Sequence, residues 1–295
     1  MNYSITVSIA TRNRPATLLR TINSVLNQSY DKFYILISDN STNDDTEKEI
    51  KNIHDDRIIY KRRVPDYQDA FQHFNAIIDD IDTPYFMIFH DDDEMLPNMV
   101  EKLYTTIKKY PEIAAVASNG IIWNDEKNKK DGVFYVEKHQ IVLQYPQDFV
   151  KKNIDMTMAP FPSYMYCKKK IEGIRFSRDI CGKYGDTAFL LCLLEKHNIV
   201  YIPDILIKYH VSLDQDSAHH DFISFLKLIK LFEKYVPKKQ LTSIRIINIY
   251  NNIRCKQIIT GRIDSKISYF KIFARYSLNN YFIKYLIRLL NLYVK

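Results

Sequence analysis

Hydrophobic residues in the first 120 positions follow two different spacings. Apolar and β-branched runs, which indicate buried strands, alternate with segments where apolar residues recur every three or four positions, which indicates helices that bury one face. The predicted strands are 3–10, 33–38, 57–61, 85–89 and 113–118, and the predicted helices are 15–26, 71–81 and 97–110. Strands that alternate with helices of this length predict βαβ units and a mostly parallel sheet flanked by helices, an α/β fold.

The pattern is less regular after residue 120. We expect a hairpin around a polar turn at 124–132, a linker-like stretch over 151–183, a helix at 186–196, a strand at 199–202 and helices from residue 222 onward. This organisation predicts one α/β domain over 1–221, with a regular part of about 1–120 and a less regular part of about 121–221. A helical C-terminal region would occupy 222–295.

Composition excludes several classes of protein. Hydrophobic residues make up 46% of the 295 positions and charged residues 26%, as in soluble globular chains. The first of only six glycines is Gly120, so no Gly-rich phosphate-binding loop can lie in the first 119 residues. The four cysteines show no C-x-x-C spacing, which argues against a zinc site or a disulfide framework and favours a reducing compartment.

Positive charge is concentrated near the C-terminus. Residues 222–295 carry 15 Lys and Arg against two acidic residues, whereas 1–221 carry 27 against 33. A helix over the last residues would place Lys284, Arg288 and Lys295 opposite an apolar face, a pattern typical of helices on an anionic membrane surface. A helix packed on its own domain would show the same pattern.

From the sequence we expect neither a signal peptide nor a membrane-spanning segment. Its first 14 residues contain no basic segment followed by an apolar core, and no apolar run in the chain approaches the roughly 18 residues of a membrane span. We therefore expect a cytoplasmic protein that binds the inner face of the cell membrane peripherally. The basic region lacks a nucleic-acid recognition motif, so no nucleic-acid partner is expected.

The strongest local signal is the acidic run 90–94, HDDDE, which directly follows the predicted strand YFMIF. Adjacent carboxylates repel one another unless a cation or hydrogen-bond donors are close, and ligands of open α/β sheets bind at this edge. Mg²⁺ and Mn²⁺ prefer carboxylate oxygens and can bridge to a diphosphate. The alternative is a solvated turn that caps the helix expected from Pro97.

A second polar segment, SDNSTNDD, follows the strand FYILI. A carboxylate at the end of this strand, Asp39, could accept an N–H hydrogen bond from a nucleobase. On its own the segment favours an Asx-rich turn, with Asp44 capping the next helix.

Together these segments resemble family 2 glycosyltransferases of the GT-A fold. The resemblance covers roughly residues 3–217, from SITVSIATRNRPATLLRTINSVLNQSYDKFYILISDNSTNDDT through FHDDDEMLP. It implies a nucleotide-sugar donor, for which we predict a UDP-sugar, with a divalent Mn²⁺ or Mg²⁺ on its diphosphate. It also implies that 1–221 form a catalytic domain, with a nucleotide-sugar half of about 1–120 and an acceptor half of about 121–221. The implied donor-binding residues are Thr11, Arg14, Asp39, Asp91 and Asp92.

Further residues carry over from the resemblance. Asp93 is implied as a metal ligand, and Asp186 of KYGDTAF aligns with the family's catalytic base, although a plain helix cap is the alternative. The segment YHVSLDQDS departs from the family pattern, and His210 is the candidate in it for completing the metal shell. At Arg62 and Arg63 the Gly-containing segment found in many members is missing.

These observations predict an inverting, metal-dependent glycosyltransferase. Its acceptor would be a hydroxyl of a glycan or lipid-linked glycan in bacterial surface polysaccharide synthesis. Two other classes stay open: a metal-dependent sugar nucleotidyltransferase, which the missing Gly-rich loop disfavours, and a non-catalytic module that binds a nucleotide or glycan.

Overall fold

The computed structural model describes residues 3–135, 137–155, 157–212, 221–237 and 241. The strands are β1 Ile5–Thr11, β2 Tyr34–Asp39, β3 Ile58–Arg62, β4 Tyr85–His90, β5 Glu94–Met95, β6 Ile113–Asn124, β7 Lys129–Val133, β8 Ile141–Leu143, β9 Tyr164–Cys167 and β10 Asn198–Val211. The α-helices are α1 Pro15–Leu26, α2 Asp45–Ile50, α3 Ala70–Asp80, α4 Met99–Lys109, α5 Pro146–Ile154, α6 Arg178–Cys181, α7 Gly185–Leu194 and α8 Phe222–Phe232.

All ten strands form one mixed sheet, in which eight follow the order β3-β2-β1-β4-β9-β6-β10-β5. β7 pairs with β6, and β8 pairs with β10. The first four strands of this order are mutually parallel, and β6 is parallel to β10. The predicted α/β fold with a mostly parallel sheet is therefore confirmed.

Helices cover both faces of the sheet because each buries one apolar stripe. α1 buries Leu18, Ile22 and Val25 on one face, where Leu103 of α4 belongs to the same hydrophobic cluster. On the other face α3, α5, α7 and α8 contribute to a second cluster. α7 is apolar nearly all round and buries eight of its ten residues, as expected of a helix enclosed by other elements.

The middle of the chain differs from the sequence prediction at two strands. The stretch predicted as a linker contains β9, which pairs antiparallel with both β4 and β6 and buries Tyr164 and Tyr166 in the sheet. β10 runs on to Val211, far beyond the predicted end at Ile202. The register shifts between Ile202 and Ile205, so the sheet accommodates Pro203 as an irregularity instead of ending there.

The C-terminal region is described only at its start. The predicted domain boundary falls at the beginning of α8, where the side chain of Asp221 caps the helix. Leu228, Leu231 and Phe232 of α8 belong to the same hydrophobic cluster as α7. The basic amphipathic helix predicted near the C-terminus lies outside the described residues. Among the helices that are described, none is long and apolar enough to cross a membrane.

Candidate functional site

The carboxyl ends of the parallel strands bring most of the predicted site residues to one edge of the sheet. Thr11 ends β1 and lies in register with Asp39, which ends β2, and Asp39 is in register with Arg62 at the end of β3. On the other side of β1, His90 ends β4 beside Ala10. Since ligands of open α/β sheets bind at this edge, the register supports a common site.

Asp39 is fully buried and accepts three hydrogen bonds. Its Oδ1 accepts from the backbone N–H of Ser41 at 2.8 Å, and its Oδ2 accepts from the Tyr60 hydroxyl at 2.6 Å and from Arg62 Nη1 at 3.1 Å. Burial and the bond to Asp39 raise the pKa of Tyr60, which therefore stays a hydroxyl donor. A carboxylate offers about four lone pairs, so these contacts leave about one acceptor position.

Asp91 and Asp92 are linked to Thr11 and Arg14. Thr11 Oγ1 donates to Asp91 Oδ2 at 2.8 Å, and Arg14 Nη1 lies 3.5 Å from Asp91 Oδ1 and 3.1 Å from Asp92 Oδ2. Burial raises the pKa of Asp91 to about 6, against the opposing effect of the Thr11 hydrogen bond. Four of the predicted donor-binding residues thus form one hydrogen-bonded group, and Arg14 is its cation.

Asp93 carries a buried oxygen that lacks a hydrogen-bond partner. The residue is 0% exposed, its Oδ1 accepts from the backbone N–H of His210 at 2.9 Å, and its Oδ2 has no hydrogen-bond partner among the described residues. That Oδ2 lies 3.7 Å from His90 Nδ1. Burial, together with the charge of Asp92, raises the pKa of Asp93 well above its ordinary value, whereas burial lowers the pKa of His90.

His90, Asp92 and Asp93 form a group that can hold a metal ion. One potential ligand atom from each residue lies within 4.8 Å of the others. The group combines a neutral imidazole with two carboxylates, and the unpartnered Asp93 oxygen supplies the acceptor that a cation would use. The sequence prediction did not include His90, although its position at the end of β4 was a usable signal.

The structure does not bring the ring of His210 to this group. His210 Nδ1 lies 2.6 Å from Asp125 Oδ1, and His210 Nε2 lies 2.7 Å from Glu94 Oε1. Lys208 Nζ donates to the same Glu94 oxygen at 2.8 Å, and although burial opposes it, these partners hold the pKa of Glu94 below its ordinary value. With both ring nitrogens engaged, His210 contacts the site through its backbone N–H to Asp93.

Asp186 lies in the first turn of α7, where its Oδ1 accepts from the backbone N–H of Thr187 at 2.7 Å. Burial raises its pKa above that of an ordinary aspartate. Ring contacts connect this region to the acidic run, because the Phe71 ring packs on Gly185 and lies 6.2 Å from the Phe74 ring, which stacks on His90 at 6.3 Å. α3 therefore borders both groups.

The sequence profile of "Glycosyl transferase family 2" matches residues 6–174, more than half of the chain. The chain belongs to this family. A curated relative, the GalNAc(5)-diNAcBac-PP-undecaprenol beta-1,3-glucosyltransferase of Campylobacter jejuni, is 28% identical over 243 residues, which cover 78% of this chain and 74% of the relative. The predicted family membership is therefore confirmed.

Solved structures show the same fold at low sequence identity. S. aureus TarS 1–349 in complex with UDP-GlcNAc has a TM-score of 0.64 at 10% identity, and the match covers 90% of this chain and 77% of that one. The mannosyltransferase PcManGT from Pyrobaculum calidifontis, in complex with GDP-Man and Mn²⁺, has a TM-score of 0.55 at 14% identity and coverages of 79% and 64%. The chain spans 46% of the longer TarS chain that it matches.

Proposed function

We propose that this family 2 glycosyltransferase moves a sugar from a UDP-sugar to a hydroxyl of a lipid-linked glycan, with inversion at the anomeric carbon, in bacterial surface polysaccharide synthesis. The observation that carries the proposal is the buried, unpartnered oxygen of Asp93 beside His90 and Asp92, on the sheet edge that also presents Asp39. The Campylobacter jejuni relative supports the acceptor class, since its name describes an enzyme that acts on an undecaprenol-linked glycan.

The donor would bind across the ends of β1, β2 and β4. Asp39 has about one acceptor position left for an N–H of the base, and uracil offers one such imide N–H. Because Arg62 and Tyr60 cover the Asp39 carboxylate, the Arg62 side chain has to turn aside for a base to reach it. Arg14 lies beside Asp91 and Asp92, where a cation can face a diphosphate.

The metal ligands that we propose are His90, Asp92 and Asp93. A bound divalent cation would neutralise charge on the diphosphate of the departing nucleotide. Because Mg²⁺ strongly prefers oxygen ligands, the imidazole nitrogen in this set favours Mn²⁺.

Pulsed electron paramagnetic resonance of the Mn²⁺-loaded protein distinguishes the two candidate histidines. We expect wild type and His210→Gln to show the ¹⁴N coupling of a bound imidazole, and His90→Gln to lose it, because the ring of His90 lies beside the carboxylates of Asp92 and Asp93, whereas the ring of His210 contacts Glu94 and Asp125. Loss of the coupling in His210→Gln with retention in His90→Gln would instead establish His210 as the ligand.

Asp186 would act as the general base. The acceptor hydroxyl oxygen attacks the anomeric carbon and passes its proton to the Asp186 carboxylate, while the bond from that carbon to the diphosphate oxygen breaks and the nucleoside diphosphate leaves. Attack opposite the leaving group inverts the centre. A base whose pKa lies nearer to neutral accepts the proton more effectively, and burial shifts Asp186 in that direction.

Calorimetric titration of nucleoside diphosphates tests the donor site directly. We expect UDP to bind in the presence of Mn²⁺ and to bind at least about tenfold more weakly without it, because the acidic group repels a bare diphosphate. Separate titrations of GDP, CDP and dTDP under the same conditions serve as the comparison. If none of the four nucleotides binds with or without Mn²⁺, the proposal fails.

Product analysis distinguishes the proposed glycosyltransferase from a sugar nucleotidyltransferase. A sugar nucleotidyltransferase releases pyrophosphate from a nucleoside triphosphate, whereas the proposed reaction releases a nucleoside diphosphate from a nucleotide-sugar.

A lipid-linked acceptor would also place the enzyme at a membrane surface, in agreement with the basic C-terminal charge.

A further inference from the structure

The segment that carries Asp186 is a tight turn between α6 and α7. It forms one 3-10 turn, Gly182–Tyr184, and leads directly into α7. Gly182 has φ +61°, a left-handed conformation that side chains rarely adopt. A Cβ at this position would also overlap Ser224 of α8, so the turn requires glycine and lies in direct contact with that helix.

Ser224 is hydrogen-bonded to this turn. Its Oγ accepts from the backbone N–H of Lys183 at 3.1 Å and donates to Asp221 Oδ2. Asp221 Oδ1 in turn accepts from the backbone N–H groups of Ile223 and Ser224, at 3.0 and 3.3 Å, and caps α8. A continuous chain of hydrogen bonds thus joins the start of α8 to a residue three positions before Asp186.

The opposite side of the turn is held by α3. A Cβ at Gly185 would come within 2.5 Å of Phe71 Cε2, so this glycine is also in close contact with its neighbour. The Phe71 ring stacks on Phe176 with a centroid distance of 6.0 Å, and the Arg178 guanidinium lies over the same ring at 5.7 Å. Asp186 therefore follows a turn that is fixed between α3 and α8.

α8 is anchored to the domain by buried side chains. Phe225, Leu228, Ile229 and Phe232 are buried, and Ser224 is only 3% exposed. The helix is therefore rigid enough to set the position of the turn.

We propose that Ser224 is a positioning residue for the general base, and that α8 belongs functionally to the catalytic unit. The inference rests on the proposed function, because it assigns Ser224 a role through Asp186. Losing the Ser224 hydroxyl removes its hydrogen bond to the Lys183 amide and loosens the turn, so that Asp186 is less accurately placed against the acceptor hydroxyl. The donor site lies on other elements and is unaffected.

Ser224→Ala tests this inference in the full chain. Misplacement of a catalytic group by about 1 Å can cost on the order of 10²-fold, so we expect kcat for transfer to fall by about 10- to 100-fold. The KM for the UDP-sugar and the affinity for UDP with Mn²⁺ should stay at the wild-type values. Hydrogen exchange in the peptide containing Lys183 should become faster. Ser29→Ala, which removes an exposed hydroxyl bonded to Glu101, is the matched control and should change none of these quantities.

The other outcomes are distinct. An unchanged kcat overturns the inference, as does a parallel fall in kcat and UDP affinity, which would indicate a general structural effect. If Ser224→Ala does not fold, Asp221→Asn keeps the helix cap while weakening the bond to Ser224, and we expect a smaller fall in kcat alone. A wild-type protein that transfers no sugar contradicts the proposed function itself, and the inference fails with it.

Discussion

We expect Asp186→Asn to lower kcat for sugar transfer by about 10²- to 10⁴-fold, the usual contribution of a general base. The amide has the shape of the carboxylate, and its Oδ1 can still accept from the backbone N–H of Thr187, so the start of α7 should be preserved. Steady-state transfer from the UDP-sugar measures the effect, and UDP affinity with Mn²⁺ should remain unchanged.

Asp179→Asn is the matched control for this variant. Asp179 lies nearby in α6 and is exposed, so its replacement should leave kcat within a factor of about two. If Asp186→Asn transfers sugar at the wild-type rate, Asp186 is a structural helix-cap residue and the base lies elsewhere.

The pH dependence of kcat gives a second measurement on the same residue. Only the ionised carboxylate accepts a proton, so kcat should rise with pH through the pKa of Asp186. Because burial raises that pKa, the acidic limb of the profile should lie above the range of an exposed aspartate. Asp186→Asn should abolish this limb.

The sequence predicts the first half of the fold well because β1, β2 and β4 are almost entirely buried, and because α1 and α3 show regular helical spacing between strands. The segments that end β1, β2 and β4 are rich in polar residues, and parallel strands necessarily bring such ends to one edge. That geometric rule agrees with the family resemblance, which assigns Thr11, Asp39 and the acidic run to one donor site.

The second half depends on long-range contacts that periodicity does not record. β9 has only four residues and is buried by pairing with strands on both sides, so it shows no alternation of polar and apolar positions. β10 continues past Pro203 because β6 and β5 supply partners beyond the irregularity. Local sequence around either strand does not contain this information.

The same limit applies to individual side chains. The ring of His210 is oriented by Glu94 and Asp125, which lie 116 and 85 positions away in the sequence. A resemblance to a family pattern suggests a histidine near a metal site, but it does not identify the partners that orient the ring of that histidine. The local sequence does not indicate the role proposed for Ser224 either, because that role depends on its contact with Gly182, which lies 42 positions earlier.

Asp93→Asn should weaken metal binding without lowering the stability of the metal-free protein. In the metal-free protein, Asp93 is buried beside Asp92, and one of its oxygens lacks a hydrogen-bond partner within the described part of the chain. Burial raises the pKa of Asp93 in the folded state, so the carboxyl group reduces the free energy of unfolding as the pH rises above the ordinary pKa of an aspartate. Asn keeps the shape without the charge, and we expect the melting temperature of the metal-free variant to equal or exceed that of wild type.

The same substitution removes the buried anion that we propose holds the cation. We expect Mn²⁺ and UDP together to raise the melting temperature of wild type, since a ligand that binds only the folded state stabilises it. The shift should be absent in Asp93→Asn, whose UDP affinity in Mn²⁺ should be at least about 100-fold weaker. Asp44→Asn, which neutralises an exposed carboxylate paired with Lys48, should retain the full shift. A buried carboxylate that lowers stability is explained if its function is to bind a cation. Wild-type affinity for UDP with Mn²⁺ in Asp93→Asn would contradict that explanation.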